Sequence, residues 1–230
     1  MKLGGWQKCS LIDFPGKVCA VLFTKGCSFR CPFCHNPGLV LPKQLAQEHL
    51  DEKIVFEFLQ KRKGLLDGVV VSGGEPTIHA DLPEFLTTIK TMGFAIKLDT
   101  NGDHPEMIER LIRKNLVDYW AMDRKASLPR YAQITGIPID TRKIEQSSSL
   151  IIQSGLPYEF RTTLVRELHP PEEVEHVARE LHGVNRFILQ QFRPLITLDP
   201  KLQTASPYND EEMTSLCERA KPYVQECFWR

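Results

Sequence analysis

Three closely spaced cysteines are the residues of this chain best suited to chemistry. Cys27, Cys31 and Cys34 form the pattern C-x3-C-x2-C in a loop rich in turn-forming residues. A 4Fe–4S cluster held by protein alone uses four thiolates, so three thiolates leave one iron with an open position. Catalytic metal sites keep such a position for a substrate. The triplet therefore predicts an iron–sulfur cluster with one iron able to bind a small molecule.

A structural zinc site is the alternative interpretation, with a fourth ligand from His35, Cys9 or Cys19. His35 adjoins Cys34, which makes a shared tetrahedral geometry awkward, and Cys19 lies inside a predicted strand. Structural zinc sites are also built from paired knuckles, of which this chain has one half. The cysteines outside the triplet are expected to pack in the core, as isolated cysteines usually do: Cys9, Cys19, Cys217 and Cys227.

Three further polar segments follow predicted strands: 72–77 (SGGEPT), 99–102 (DTNG) and 122–126 (MDRKA). Gly73 and Gly74 allow a backbone to approach a ligand closely, and Glu75 can accept a hydrogen bond from an ammonium group. Each segment alone is typical of an ordinary turn. Their joint position behind strands and the cysteine loop favours a shared binding site.

The elements that must position these residues alternate along the chain. Strands are predicted at 18–24, 69–71, 94–98, 117–122, 159–165, 186–191 and 223–228, and helices at 54–61, 82–92, 106–114, 141–153, 172–181 and 210–220. Strand–helix alternation predicts right-handed βαβ units and a parallel sheet. About six units are too few for a closed eight-fold barrel, so we expect an α/β fold with an open, partial (β/α)6 TIM-like barrel. Residues 1–230 are expected to form a single domain, with ligands at the carboxyl ends of the strands.

The composition excludes several classes of partner. The chain has 230 residues, and 29 Lys and Arg balance 29 Asp and Glu, so we expect neither nucleic acid nor an anionic membrane as a partner. The sequence has no apolar run of signal-peptide or membrane-spanning length, which predicts a cytoplasmic protein. In a reducing compartment, clustered thiols more often bind metal or do redox chemistry than form disulfides.

At the cysteine triplet the sequence resembles the radical S-adenosylmethionine (SAM) superfamily, whose signature is C-x3-C-x-aromatic-C. Phe33 fills the aromatic place. The resemblance implies that the three cysteines bind three irons and that SAM chelates the fourth through its amino and carboxylate groups. It also places Phe33 and His35 near the adenine. The segment Gly73-Gly74-Glu75-Pro76 is similar to the superfamily's GGEP segment, which holds the SAM amino group.

Two other segments resemble the activating enzymes of glycyl radical proteins. Asp99-Thr100-Asn101-Gly102 is similar to their D-T-N-G element, and Asp123 and Lys125 to their D-x-K element. The resemblance implies that Asp123 and Lys125 contact SAM, with Asp99 nearby. Two carboxylates at one anionic ligand would repel it, so we expect a monovalent cation there. Arg161 is a candidate partner of the SAM carboxylate and equally a rim arginine, and the contacts of Gln191 and Arg193 stay open.

The N-terminal segment 10–17 (SLIDFPGK) looks like that of the activating proteins of anaerobic ribonucleoside-triphosphate reductase. The likeness implies that a reduced cluster gives one electron to SAM, forming methionine and a 5′-deoxyadenosyl radical, which takes a hydrogen atom from a glycine of the reductase. No catalytic side chain is expected beyond the cofactor, and flavodoxin or ferredoxin is the expected electron donor. The alternatives are an activator of the pyruvate formate-lyase type and a small-molecule enzyme such as a 7-carboxy-7-deazaguanine synthase.

Overall fold

In the computed structural model, which describes residues 1–41 and 49–230, eight strands form one sheet in the order of the chain. They are β1 Leu3–Ser10, β2 Cys19–Thr24, β3 Gly68–Gly73, β4 Ala95–Thr100, β5 Tyr119–Asp123, β6 Tyr158–Leu164, β7 Arg186–Gln191 and β8 Glu226–Trp229. β1 is antiparallel to β2, and every later pair of neighbours is parallel. β1 and β8 lie at opposite edges, so the sheet is open as predicted.

Helices follow the parallel strands. They are α1 Pro37–Val40, α2 Glu52–Lys61, α3 Leu82–Thr91, α4 Pro105–Arg113, α5 Tyr131–Thr135, α6 Thr141–Gln153, α7 Pro171–Glu180 and α8 Asp210–Ala220. Side-chain caps fix several starts, because the first backbone N–H groups of a helix lack partners within it. The Asp51 carboxylate accepts from the Lys53 N–H at 2.8 Å before α2, and Asn209 and Glu212 form a capping box at α8. Among the helices of residues 1–41 and 49–230, none combines the length and the hydropathy of a membrane span.

The predicted α/β architecture with six βα units is confirmed from β2 to α8. Three elements depart from the predictions: β1 was not expected, nor were the short helices α1 and α5. Leu3 and Ser10 at the two ends of β1 are buried, whereas all residues between them are at least partly exposed. That pattern and its two glycines hide the period of two by which a half-buried strand is recognised. β1 forms because β2 offers it a hydrogen-bonding edge.

The sheet has an apolar helix-facing side and a mixed inner side. Val69 and Val71 of β3 belong to the large core beneath the helices, whereas Val70 points inward to a smaller cluster with Phe14 and Cys19. This alternation follows from the period of two in a strand. Cys19 is buried as expected. The expectation of a packing cysteine is wrong for Cys9, which is exposed on the edge strand β1.

Candidate functional site

A cavity of about 540 Å³ lies inside the sheet, toward the carboxyl ends of the strands. Every residue that the sequence predicts for the cluster or for SAM lines it, from Cys27 to Arg161, and so do Gln191 and Arg193. The residues reach the cavity from loops behind β2, β3, β4 and β5 and from inner faces of β6 and β7. Parallel strands end at one edge of a sheet, which is why segments so distant in sequence meet.

The three thiols of the cysteine loop have little exposure to solvent. Cys31 is buried, and Cys27 and Cys34 are half-buried. Burial raises the pKa of Cys27 to about 12 and that of Cys31 to about 11. A cysteine ligand has to be a thiolate, and a bound cation stabilises that form outright. The donor set therefore fits a metal group whose charge offsets the cost of burial, as the 4Fe–4S cluster that the resemblance implies would do.

The arrangement does not favour the zinc alternative. A structural zinc ion needs four ligands at about 2.0–2.3 Å from one point. The three thiols share one cavity, so a zinc site would need one further side chain beside them. Of the suggested fourth ligands, Cys19 packs in the inner cluster. His35 stacks on Phe192 with ring centroids 5.4 Å apart.

Arg30 fixes the backbone of the cysteine loop from within. One of its guanidinium nitrogens donates to the carbonyls of Cys27 and Phe29, each at 2.7 Å. The backbone N–H of Arg30 donates to Thr135 O at 2.8 Å, which anchors the loop to α5. These bonds hold the loop through its peptide groups and leave the cysteine side chains to face the cavity.

The two glycines after β3 serve a close approach between backbones. An ideal Cβ on Gly74 would lie 1.8 Å from Gly26 O, and one on Gly73 would lie 2.4 Å from Thr24 N. Gly73 also has φ +113°, a region that favours glycine. The Glu75 N–H donates to Gly26 O at 2.7 Å. Gly74 thus admits the cysteine loop and Gly73 the end of β2; both glycines also line the cavity, and their contact with a ligand stays a prediction.

Glu75 is buried and joins two of the predicted segments. Its carboxylate accepts from the Thr77 N–H at 3.1 Å, the Thr77 hydroxyl at 2.5 Å, the Thr100 hydroxyl at 2.8 Å and the Asn101 N–H at 2.6 Å. Burial raises the pKa of Glu75 against the opposing effect of these hydrogen bonds. Because it holds four internal donors, Glu75 ties the loop after β3 to the loop after β4. Asn101 in turn directs its amide toward Cys27 Sγ at 3.7 Å.

Five charged side chains alternate in sign along the inner wall, and we name them the charge chain: Lys97, Asp99, Arg161, Asp123 and Lys125. Lys97 Nζ lies 2.6 Å from Asp99, Arg161 lies 3.3 Å from Asp99 and 2.8 Å from Asp123, and Lys125 Nζ lies 2.9 Å from Asp123. Burial raises the pKa of both carboxyls, but the adjacent cations outweigh it and hold each pKa below its usual range. Arg161 is therefore shared between two aspartates.

The charge chain changes the reason for expecting a monovalent cation. Asp99 and Asp123 would repel an anionic ligand if they were uncompensated. In the structure each carboxylate lies between two protein cations. Their repulsion is thus offset by the protein itself, and the monovalent cation stays a prediction.

Sequence reasoning missed Lys97, Tyr131 and His169. Lys97 is buried beside Asp99, and its position two residues earlier on the same strand was the available signal, because residues i and i+2 share a face. Tyr131 and His169 are buried outside the cavity lining. Neither lies in one of the sequence motifs by which the other site residues were predicted.

Comparison with known proteins supports the geometric assignment. Residues 21–181 match the family model of the radical SAM superfamily. The Methanocaldococcus jannaschii protein named "putative glycyl-radical enzyme activating enzyme MJ1227" is 33% identical over 222 residues, covering 94% of this chain and 90% of that protein. The pyruvate formate-lyase-activating enzyme of Listeria monocytogenes is 38% identical over 111 residues, 44% of each chain.

A solved structure shares the fold. The crystal structure of Streptococcus suis SuiB bound to precursor peptide SuiA matches with a TM-score of 0.67 at 14% identity, covering 88% of this chain and 45% of that one.

The chain belongs to the glycyl-radical enzyme activating enzymes of the radical SAM superfamily. Membership implies an enzyme that uses a 4Fe–4S cluster and SAM, as the cysteine triplet predicts.

Proposed function

We propose that the protein binds a 4Fe–4S cluster on Cys27, Cys31 and Cys34, binds SAM beside it, and generates a glycyl radical on an anaerobic ribonucleoside-triphosphate reductase. One observation carries the proposal: three buried or half-buried thiols share a cavity with strand-end segments from β3, β4 and β5. When bound, the cluster and SAM supply a one-electron cleavage that yields a carbon radical able to take a hydrogen atom. The electron donor in the proposal is flavodoxin or ferredoxin.

The chain's own residues bind, orient and exclude water. Lys125 and Arg161 place positive charge on the cavity wall, which suits the SAM carboxylate. Phe33 and His35 place rings in the cavity lining, which suits the adenine. Asn101 supplies an amide beside Cys27. No side chain has to act as an acid or base, because the chemistry belongs to the cofactors.

The N-terminal segment supports the reductase as partner. Ile12 and Asp13 of this segment line the same cavity as the cysteines, so the part of the chain that resembles reductase activators reaches the site. The Listeria relative equally supports a partner of the pyruvate formate-lyase type. The proposal places the enzyme in the cytoplasm, treats residues 1–230 as one radical SAM domain, and includes neither nucleic acid nor membrane.

Anaerobic reconstitution tests the proposal. The protein is loaded with iron and sulfide, reduced, and incubated with SAM and a candidate reductase or formate-lyase, and the glycine-centred doublet is measured by electron paramagnetic resonance. We expect a doublet with the reductase. A doublet with the formate-lyase alone would replace the partner, and SAM cleavage without a doublet on either enzyme would favour a small-molecule substrate.

A pair of cysteine variants provides the internal control. C31S removes a thiol of the cavity and should abolish iron retention and SAM cleavage. C217S removes a buried thiol of α8, outside the cavity lining, and should leave both unchanged. Parallel reactions in Na⁺, in K⁺ and in neither test the predicted monovalent cation.

A further inference from the structure

His169, which no motif includes, is fixed by both of its ring nitrogens. It is fully buried. Its Nδ1 accepts from the Val165 N–H at 3.2 Å, and its Nε2 lies 2.8 Å from Lys125 O. Because Nδ1 accepts, Nε2 carries the proton and donates to the Lys125 carbonyl. Tyr208 also donates to the His169 carbonyl at 2.9 Å, which secures the residue from a third side. The imidazole can therefore take only one orientation.

Tyr131 binds the other backbone group of Lys125, its N–H. The Lys125 N–H donates to the Tyr131 hydroxyl at 3.2 Å, while the Lys125 carbonyl accepts from His169. Tyr131 is buried on α5, far in sequence from His169. Lys125, whose side chain lines the cavity, thus has both of its backbone groups bound to buried side chains from different elements.

The same two rings also contact the cysteine loop. Tyr131 packs edge to face on Phe29 with ring centroids 6.2 Å apart, and His169 packs edge to face on Phe33 at 5.6 Å. Phe29 lies between the first and second cysteines of the triplet, and Phe33 between the second and third. Edge-to-face pairs of this kind have a preferred geometry, so each pair fixes the relative position of its two rings in addition to burying apolar surface.

We infer that His169 and Tyr131 are positioning residues, a clamp that sets the place of Lys125 relative to the three cysteines. The inference rests on the proposed binding of SAM, because Lys125 in the loop after β5 and the cluster on the loop after β2 would contact the same SAM molecule. Misplacing Lys125 should weaken SAM binding while leaving the cluster ligands intact. Neither clamp residue lines the cavity, so both act through Lys125 and the cysteine loop.

Four variants of the full chain test the clamp. H169F keeps a ring against Phe33 but loses both hydrogen bonds, whereas H169Q keeps a donor that can reach the Lys125 carbonyl. Y131F loses only the hydroxyl. Y158F is the matched control, because the Tyr158 hydroxyl likewise accepts from a backbone N–H, that of Asn185 at 3.3 Å, outside the cavity.

The readout is the paramagnetic resonance spectrum of the reduced cluster during titration with SAM, together with iron content and thermal unfolding. We expect H169F to raise about tenfold the SAM concentration at which half of the spectral change has occurred. A factor of this size corresponds to the loss of a buried hydrogen bond. Y131F should raise it about threefold, and H169Q and Y158F should stay within about twofold of wild type. The spectrum without SAM and the iron content should not change.

Three results would overturn the clamp. The first is a wild-type midpoint in both H169F and Y131F. The second is a loss of iron or thermal stability in these variants that accounts for the weaker response, and the third is an equal shift in Y158F. If the cluster of the wild-type protein responds to SAM but no glycyl radical forms, the proposed partner is wrong and the clamp is unaffected. If the spectrum of the wild-type cluster does not change with SAM, both the proposed function and the clamp are overturned.

Discussion

Replacing Gly74 by alanine should displace the cysteine loop, and the structure sets the size of the effect. The added Cβ would lie 1.8 Å from Gly26 O and 2.7 Å from Gly26 C, both backbone atoms, whereas real Cβ contacts stay above 3.0 Å. The two segments must therefore separate by at least about 1.2 Å, the difference between 3.0 and 1.8 Å. No side chain can rotate away to relieve this contact.

The displacement also breaks a hydrogen bond. The Glu75 N–H now lies 2.7 Å from Gly26 O, and a separation of this size takes the pair beyond hydrogen-bond range. A buried N–H left without a partner costs about 1–3 kcal/mol, and forced movement of packed groups costs about 1–3 kcal/mol more. We expect G74A to lose about 3 kcal/mol of unfolding free energy, or about 6–12 °C in Tm for a chain of this size.

Two measurements check this prediction. Circular dichroism gives the Tm of the metal-free protein, and iron per chain after anaerobic reconstitution reports on the loop, because Gly26 directly precedes Cys27. G5A is the matched control, since a Cβ on Gly5 would meet nothing within 4 Å. The reasoning is refuted if G74A melts within about 2 °C of G5A and binds iron as fully.

Three further predictions concern buried charge. R161M leaves Asp99 and Asp123 without their shared cation and should lower the unfolding free energy measured in urea by about 3–5 kcal/mol. Adding D99N should recover part of this loss. An unchanged urea midpoint in R161M would contradict the charge chain. Unfolding free energy of the wild type should fall as pH drops from about 5 to 3, because the unfolded aspartates take up protons near their usual pKa of 3.8 while the folded pair stays ionised; D123N should show a shallower slope in the same titration. E75Q sets an amide donor against the donors that Glu75 binds and should lower stability by about 1–3 kcal/mol, whereas E145Q on the exposed face of α6 should match wild type in the same melts.

Much of the fold could be predicted because its strands carry local signals. The predicted bounds of β7 and α6 coincide with those observed, since β7 is bounded by turns and α6 begins at the capping residue Asp140. β1 could not be predicted, because its stability comes from pairing with β2 and not from its own residue pattern. The start of β8 was predicted three residues early for a related reason, since Tyr223 follows α8 in a turn.

The composition of the site could be predicted, but its internal bonds could not. Strand ends converge in any parallel sheet, so the cysteine loop and the segments at Gly73 and Asp99 were expected to meet. Which side chains would bind one another depends on registers between strands. Asp123 of β5 is level with Arg161 of β6, and this register makes Arg161 a partner of the aspartates.

The registers also explain how a polar wall is tolerated inside the sheet. A buried charge is costly unless it is paired, and the charge chain satisfies this by alternating three cations with two carboxylates. Glu159, 3.7 Å from Arg161, supplies a third negative charge. Arg230 lies 3.5 Å from Glu159 as well, so each of these carboxylates has a cationic neighbour. The two aspartates therefore hold the lysines and Arg161 in place, and Lys125 and Arg161, which line the cavity, are the cations of this wall suited to an anionic ligand.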